Sequence, residues 1–83
     1  MASVIIYTTN SCPYCKAAKN LLHSKGIPYQ EINVEEDQTK RKWLTQVTGQ
    51  RTVPQIFIND KSIGGFQELS ELDQEGKLDG MLV

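Results

Sequence analysis

The hydrophobic and polar positions follow two different periods along the chain. A β-branched and aromatic run over residues 3–8 predicts a strand that is buried on both faces. Apolar residues then recur at helical spacing from Tyr14 to Leu22. Pro13 suits the first turn of this helix, and Gly26 is placed to end it. The chain is therefore predicted to begin with a strand and an amphipathic helix.

A second strand and a second helix follow. Residues 28–34 alternate between apolar and polar side chains and predict the strand. Acidic residues 35–37 stand at the start of the helix, where they complement its dipole, and Gly49 marks its end. The apolar stripe of this helix is predicted to consist of Trp43, Leu44 and Val47.

The last third of the chain predicts a hairpin and a helix. Short apolar runs at residues 55–58 and 61–63 flank a turn at residues 59–60. Apolar residues from Phe66 onward are spaced for one face of a helix that ends near Gly76. The order βαβαββα predicts an α/β fold with a four-stranded mixed sheet flanked by helices. We expect one domain over residues 1–83, with a small core and modest stability.

Composition and charge exclude several classes of protein. The 83 residues include 9 basic and 10 acidic side chains, a net charge of −1 that gives no basic face for nucleic acid. No apolar run approaches the roughly 20 residues that span a bilayer. Residues 1–7 carry no basic region ahead of their apolar stretch, so we expect no signal peptide and a cytoplasmic protein.

The two cysteines, Cys12 and Cys15, are the residues that indicate chemistry. A disulfide-stapled scaffold of this length usually carries four or more, and one local bridge closes too small a loop. Cys12 falls at the predicted helix N-terminus, where free N–H groups and the helix dipole should lower its pKa below about 8.5. Cys15 lies one turn later and should be less exposed, with a higher pKa. We therefore expect Cys12 to attack a disulfide and Cys15 to resolve the mixed disulfide.

Three other uses of the cysteine pair have to be weighed. A zinc site would need carboxylate ligands at unexpected positions, since His23 is the only histidine. An iron–sulfur cluster shared between two chains would also use cysteine thiolates. An inert structural pair conflicts with the reactivity of a thiol at a helix N-terminus.

Three motifs in order resemble those of a dithiol glutaredoxin of the small bacterial type. They are Cys12-Pro13-Tyr14-Cys15 after the first strand, Thr52-Val53-Pro54 before the third, and Gly64-Gly65 before the last helix. The resemblance implies a thioredoxin fold that reduces protein disulfides and glutathione mixed disulfides. It also implies glutathione as co-substrate, no bound cofactor or metal, and a separate NADPH-dependent reductase that recycles oxidised glutathione.

The resemblance also implies a glutathione site. The Val53–Pro54 bond would be cis, and the Val53 backbone would pair with the cysteinyl residue of glutathione. The full set of implied glutathione contacts is Tyr14, Arg41, Thr52, Val53, Pro54, Gly65, Phe66 and Gln67. Without the resemblance, Val53-Pro54 is explained as well by a plain strand start, and Gly64-Gly65 as well by a hairpin exit and helix cap, as by a glutathione site. Arg41 alone would be better explained as a solvated helix charge.

Two departures from the family pattern bear on affinity. Thr9 stands where the family often has a lysine, and Gln67-Glu68 stands where it often has Asp-Asp. Gln67 brings no charge for the ammonium of the γ-glutamyl group, and charge-assisted hydrogen bonds are the stronger ones. We therefore predict that glutathione binds more weakly here than in members with the lysine and aspartate.

The implied partners are glutathione and disulfide-containing or glutathionylated proteins, ribonucleotide reductase being a family example. We expect a monomer with no nucleic-acid or membrane partner. One alternative is a glutaredoxin-like protein reduced by thioredoxin reductase. Another is a dimeric iron–sulfur carrier with Cys12 of each chain and glutathione as ligands, which Pro13 disfavours because cluster-binding members more often have a small residue there.

Overall fold

The strands form one four-stranded sheet in the computed structural model, which describes residues 3–81. The strands are β1 (Val4–Thr8), β2 (Gln30–Asn33), β3 (Gln55–Ile58) and β4 (Lys61–Gly64). The helices are α1 (Pro13–Ser24), α2 (Gln38–Thr48), α3 (Phe66–Gln74) and α4 (Leu78–Met81). The strand order is β2-β1-β3-β4, with β1 and β2 parallel and the other pairs antiparallel. The predicted mixed sheet is confirmed.

Helices cover both faces of the sheet, as the sequence predicts. Ile6 and Ile56 are paired across β1 and β3, and both are fully buried beneath α1, α3 and α4. Tyr7 points to the opposite face, where it packs with Val34 and with Leu44 of α2. The alternation of side chains along β1 therefore supplies two separate apolar clusters from one strand.

The predicted ends of the first two helices and the predicted hairpin turn are also confirmed. Gly26 follows the end of α1 with φ of 68°, and Gly49 ends α2 with φ of 73°. Both values lie in the left-handed region, which glycine adopts without a steric penalty. Asn59 and Asp60 form the β3–β4 turn with φ of 52° and 67°. Asparagine and aspartate tolerate this region better than other residues, so the turn forms without glycine.

Two details of the second helix and the chain end differ from the prediction. Trp43 is 43 % exposed and Val47 49 % exposed, so of the predicted α2 stripe only Leu44 is buried. Trp43 instead stacks on Phe57 of β3 with the ring centroids 6.3 Å apart. Residues 78–81 form α4, which the sequence did not predict because one helical turn is too short to show a period.

The second strand is shorter than predicted, with β2 occupying residues 30–33 of the expected 28–34. Val34 is fully buried just beyond its end, which explains the apolar signal there. Within the described part of the chain, no helix has the length and apolar character to cross a membrane.

Candidate active site

Cys12 is the N-cap of α1. Its backbone is extended, with φ of −126° and ψ of 103°, and Pro13 begins the helix proper. The Cys15 backbone N–H donates a hydrogen bond to Cys12 Sγ over 3.1 Å. This bond satisfies one of the backbone N–H groups that a helix start leaves without a partner inside the helix. The predicted place of Cys12 at the helix N-terminus is therefore confirmed, and its side chain takes the role that an N-cap oxygen usually has.

Cys15 lies one turn into α1 and is only 1 % exposed. Burial raises the pKa of the Cys15 thiol to about 12, and its hydrogen bond to Cys12 acts in the same direction. A backbone hydrogen bond from Thr9 and the charge of Lys19 oppose this rise. The expectation that Cys15 is the more buried of the two thiols is confirmed, and its pKa is raised. The two sulfurs are chemically unequal, as a nucleophile and a resolving thiol need to be.

The loop before β3 lies against Cys12. The Val53–Pro54 peptide bond is cis, as the resemblance implies. Cys12 Sγ donates to the Val53 carbonyl oxygen over 3.4 Å, so this loop contacts the reactive sulfur directly. The residue that begins β3, Gln55, is fully buried and fixes the loop. Its Nε2 donates to the Thr52 carbonyl over 2.9 Å and to Gln50 Oε1 over 3.0 Å.

A groove of about 440 Å³ runs between this loop and the start of α3. Seven of the eight residues predicted to contact glutathione line it, namely Tyr14, Thr52, Val53, Pro54, Gly65, Phe66 and Gln67. Tyr14 is 66 % exposed and stacks on Phe66 with the ring centroids 6.3 Å apart. The groove therefore has an aromatic wall beside the loop that contains the cis peptide bond.

The two glycines before α3 allow this close arrangement. A Cβ atom on Gly65 would lie 3.1 Å from the Pro54 carbonyl oxygen, so a larger residue would push the two walls apart. Gly64 has φ of 101°, and a Cβ there would lie 2.6 Å from Glu68 Oε1. Glu68 in turn accepts a hydrogen bond from the Gly65 N–H over 3.4 Å, which forms one half of a capping box.

Glu68 and Gln50 also line the groove, and neither was predicted to do so. The signal for Glu68 was its position three residues after a glycine N-cap, where a carboxylate reaches back to the helix start. Gln50 has no local signal, since only the fold brings it to the groove. The Glu68 carboxylate means that the groove carries a negative charge although Gln67 brings none.

Arg41 is the one predicted contact that the structure does not bring to the groove. It lines a separate pocket of about 400 Å³ with Lys42, Thr45, Gln46 and Arg51.

A larger depression of about 770 Å³ is lined by polar residues 35–39 with Asn10 and Asn33, and it contains none of the predicted site residues. Across residues 3–81, no three or more His, Cys, Asp or Glu side chains are grouped to hold a metal ion.

Comparison with known proteins agrees with this geometry. The sequence model of the family described as Glutaredoxin matches residues 4–63. The chain belongs to the glutaredoxin family. This glutaredoxin is 48 % identical over 82 residues to Glutaredoxin 3 of Escherichia coli K12, with 99 % of each chain covered. It is 47 % identical over 83 residues to the glutaredoxin of Neisseria meningitidis serogroup B, covering 99 % of this chain and 98 % of that one.

Solved glutaredoxin structures share the fold. The buckwheat glutaredoxin–glutathione complex matches with a TM-score of 0.91 and 36 % identity, covering 98 % of this chain and 76 % of that one. The Brucella melitensis glutaredoxin matches with a TM-score of 0.89 and 44 % identity, covering 99 % and 89 %. The thioredoxin fold expected for this glutaredoxin is therefore confirmed.

Proposed function

We propose that this chain is a glutathione-dependent thiol–disulfide oxidoreductase in which Cys12 is the nucleophile and Cys15 the resolving thiol. One observation carries the proposal. Cys12 Sγ lies between the Cys15 N–H and the Val53 carbonyl, beside the groove that runs between the loop before β3 and the start of α3. A half-buried thiol with a donor on its sulfur and an adjacent substrate groove is suited to thiol–disulfide exchange.

The proposed reaction has two exchange steps. The Cys12 thiolate attacks one sulfur of a substrate disulfide, the substrate S–S bond breaks, and one substrate sulfur leaves with the electron pair and takes up a proton. Cys12 is then joined to glutathione or to the protein substrate by a mixed disulfide. Cys15 can then attack the Cys12 sulfur, which forms the Cys12–Cys15 disulfide and releases the remaining thiol. Alternatively, a second glutathione attacks the glutathione sulfur of the Cys12 adduct, which forms oxidised glutathione and releases the Cys12 thiolate. Glutathione is the final reductant, and a separate NADPH-dependent enzyme regenerates it.

Glutathione is proposed to bind in the groove. The Val53 backbone would pair with its cysteinyl residue, and the backbone N–H groups of Phe66 and Gln67 at the start of α3 would hold its γ-glutamyl carboxylate. The Glu68 carboxylate would supply charge for the ammonium group. Arg41 remains the candidate for the glycyl carboxylate. The buckwheat relative, which was solved in complex with glutathione, supports a ligand of this class.

Mass spectrometry of the Cys15→Ser variant after exposure to oxidised glutathione tests the proposal. We expect one glutathione per chain, attached to Cys12, because the resolving thiol is absent. The matched Cys12→Ser variant should stay unmodified, since Cys15 is buried. Modification at another residue, or no modification of Cys15→Ser, would show that Cys12 is not the nucleophile.

The departures at Thr9 and Gln67 give a second test. Thr9→Lys and Gln67→Asp should each lower the KM for glutathione about threefold to tenfold, because each adds a charge for a group of the tripeptide. Gln74→Asp is the matched control, since it adds the same charge to the same helix at a position outside the groove. Steady-state kinetics at fixed ionic strength measure the effect, and an unchanged KM in both variants would refute the charge argument.

The proposal also covers the domain, the oligomeric state, the cellular location and the protein substrates. We propose one glutaredoxin domain over residues 1–83 that acts as a monomer in the cytoplasm, where two thiols are kept reduced. Protein disulfides and glutathionylated proteins would be its substrates, and ribonucleotide reductase is the protein to test first. The cluster-binding dimer and the protein reduced by thioredoxin reductase are no better supported by the comparisons.

A further inference from the structure

An ion pair joins α1 to the sheet one turn beyond Cys15. Lys19 lies four residues after Cys15 and therefore on the same side of the helix. Its Nζ is 3.0 Å from Glu31 Oε2 on β2. Thr8 Oγ1, at the end of β1, donates to the same Glu31 oxygen over 2.7 Å. The residues that line the groove include none of these three side chains.

Thr8 anchors this network in the protein interior. It is fully buried, and its hydroxyl group has the Glu31 carboxylate as acceptor. The hydrogen bond from Thr8, followed by the one from Lys19, holds the pKa of Glu31 below its usual value. Glu31 is therefore a fixed anion at neutral pH, and it holds the Lys19 ammonium beside α1.

Lys19 is placed to act on the Cys15 sulfur by the helix itself, since the two residues lie one turn apart on the same side of α1. The hydrogen bond to Glu31 raises the pKa of Lys19 against the opposing effect of burial, so Lys19 is charged at neutral pH. Its charge favours the Cys15 thiolate, whereas burial and the neighbouring Cys12 oppose that thiolate. Lys19 is thus a side-chain cation that, together with the backbone hydrogen bond from Thr9, offsets part of the cost of ionising a buried resolving thiol.

We propose that Lys19 is a positioning residue for the resolving step, and that Glu31 moderates it by sharing its ammonium group. The inference rests on the proposed roles of the two cysteines. In that step the Cys15 thiol gives its proton to solvent and the thiolate attacks the Cys12 sulfur. The Cys12–Cys15 bond forms, the bond from Cys12 to glutathione breaks, and glutathione leaves with the electron pair and takes a proton from solvent.

This role gives the two members of the ion pair opposite effects on one rate. Lys19→Met should slow resolution about threefold to tenfold at neutral pH, because the thiolate loses its stabilising cation. Glu31→Gln should accelerate resolution about twofold to threefold, because the ammonium is no longer shared. Lys19→Arg should stay near the original rate. A purely structural ion pair would instead make both charge-removing variants slower.

Rapid mixing of the reduced protein with oxidised glutathione separates the two steps. Acid-quenched samples analysed by mass spectrometry should gain one glutathione in a first phase and lose it in a second, as the intramolecular disulfide forms. Lys19→Met should leave the first phase unchanged and slow only the second. Lys25→Met is the matched control, since it removes an ion-paired lysine of similar exposure at the C-cap of α1, ten residues beyond Cys15. Both phases should be unchanged in this variant.

The pH dependence of the second-phase rate distinguishes an electrostatic role of Lys19 from a structural one, because a structural role would not shift the profile along the pH axis. The profile should shift to higher pH in Lys19→Met and to lower pH in Glu31→Gln. Equal second-phase rates in Lys19→Met and the unaltered protein, or slowing in Glu31→Gln, would overturn the role of Lys19. Absence of the first phase in every protein, including Cys15→Ser, would instead overturn the proposed function.

Discussion

Replacement of Cys12 by serine is expected to lower kcat/KM for reduction of a glutathione mixed disulfide by about a thousandfold or more. A serine hydroxyl is almost entirely protonated at neutral pH and does not displace a thiolate from sulfur. Its oxygen can still accept the hydrogen bond from the Cys15 N–H, so the start of α1 should be preserved. Initial rates with a glutathionylated substrate, coupled to NADPH consumption by glutathione reductase, measure the loss.

The Cys15→Ser variant is the control for that experiment. It should keep most of the activity on glutathione mixed disulfides, because a second glutathione can attack the Cys12 adduct in place of Cys15. It should lose the dithiol route to protein disulfides. Substantial activity in Cys12→Ser, or equal losses in the two variants, would contradict the assignment of Cys12 as nucleophile.

The part of the site that is local in sequence could be predicted from the sequence. A helix start after a strand places Cys12 at an N-cap, and a spacing of three places Cys15 one turn inside. The difference in burial between the two sulfurs follows from that geometry. These inferences require no knowledge of the distant chain, and the structure bears them out.

The surroundings of the cysteines depend on residues far along the chain. Only some of these surroundings could be predicted from the physical properties of the sequence. The cis state of Val53–Pro54 came from the family resemblance, because an X–Pro bond is trans in most sequences. The amide of Gln55 fixes the loop before β3 through contacts with Gln50 and Thr52 that depend on the loop path. Arg41 was assigned by analogy, and its pocket is set by the packing of α2.

The negative charge in the groove is a second feature that the sequence analysis did not predict. The sequence comparison noted only that Gln67 brings no charge where the family often has an aspartate, and it gave Glu68 no role in the groove. The structure shows that the next residue, Glu68, turns its carboxylate back toward Gly65 and lines the groove. Neighbouring residues at a helix N-terminus therefore have to be considered together, since a capping interaction redirects a longer side chain.

Gly64→Ala is the substitution outside the cysteine pair that we expect to have the largest effect. At φ of 101°, Gly64 lies outside the left-handed region that other residues sometimes adopt, and the added Cβ would meet the Glu68 side chain. The variant should lose about 2–3 kcal/mol of unfolding free energy. Because Glu68 has to move, its capping bond and its place in the groove should also be lost, and the KM for glutathione should rise. Urea denaturation and steady-state kinetics measure the two effects.

Gly26→Ala separates backbone strain from the contact with Glu68. Gly26 has φ of 68°, within the left-handed region, and a Cβ there would have no atom within 4 Å. It should cost about 1–2 kcal/mol and leave the KM for glutathione unchanged. If Gly64→Ala destabilised the protein no more than Gly26→Ala and kept the original KM, Glu68 would have no part in shaping the groove. A higher KM in Gly64→Ala alone would tie glutathione affinity to the position of this carboxylate.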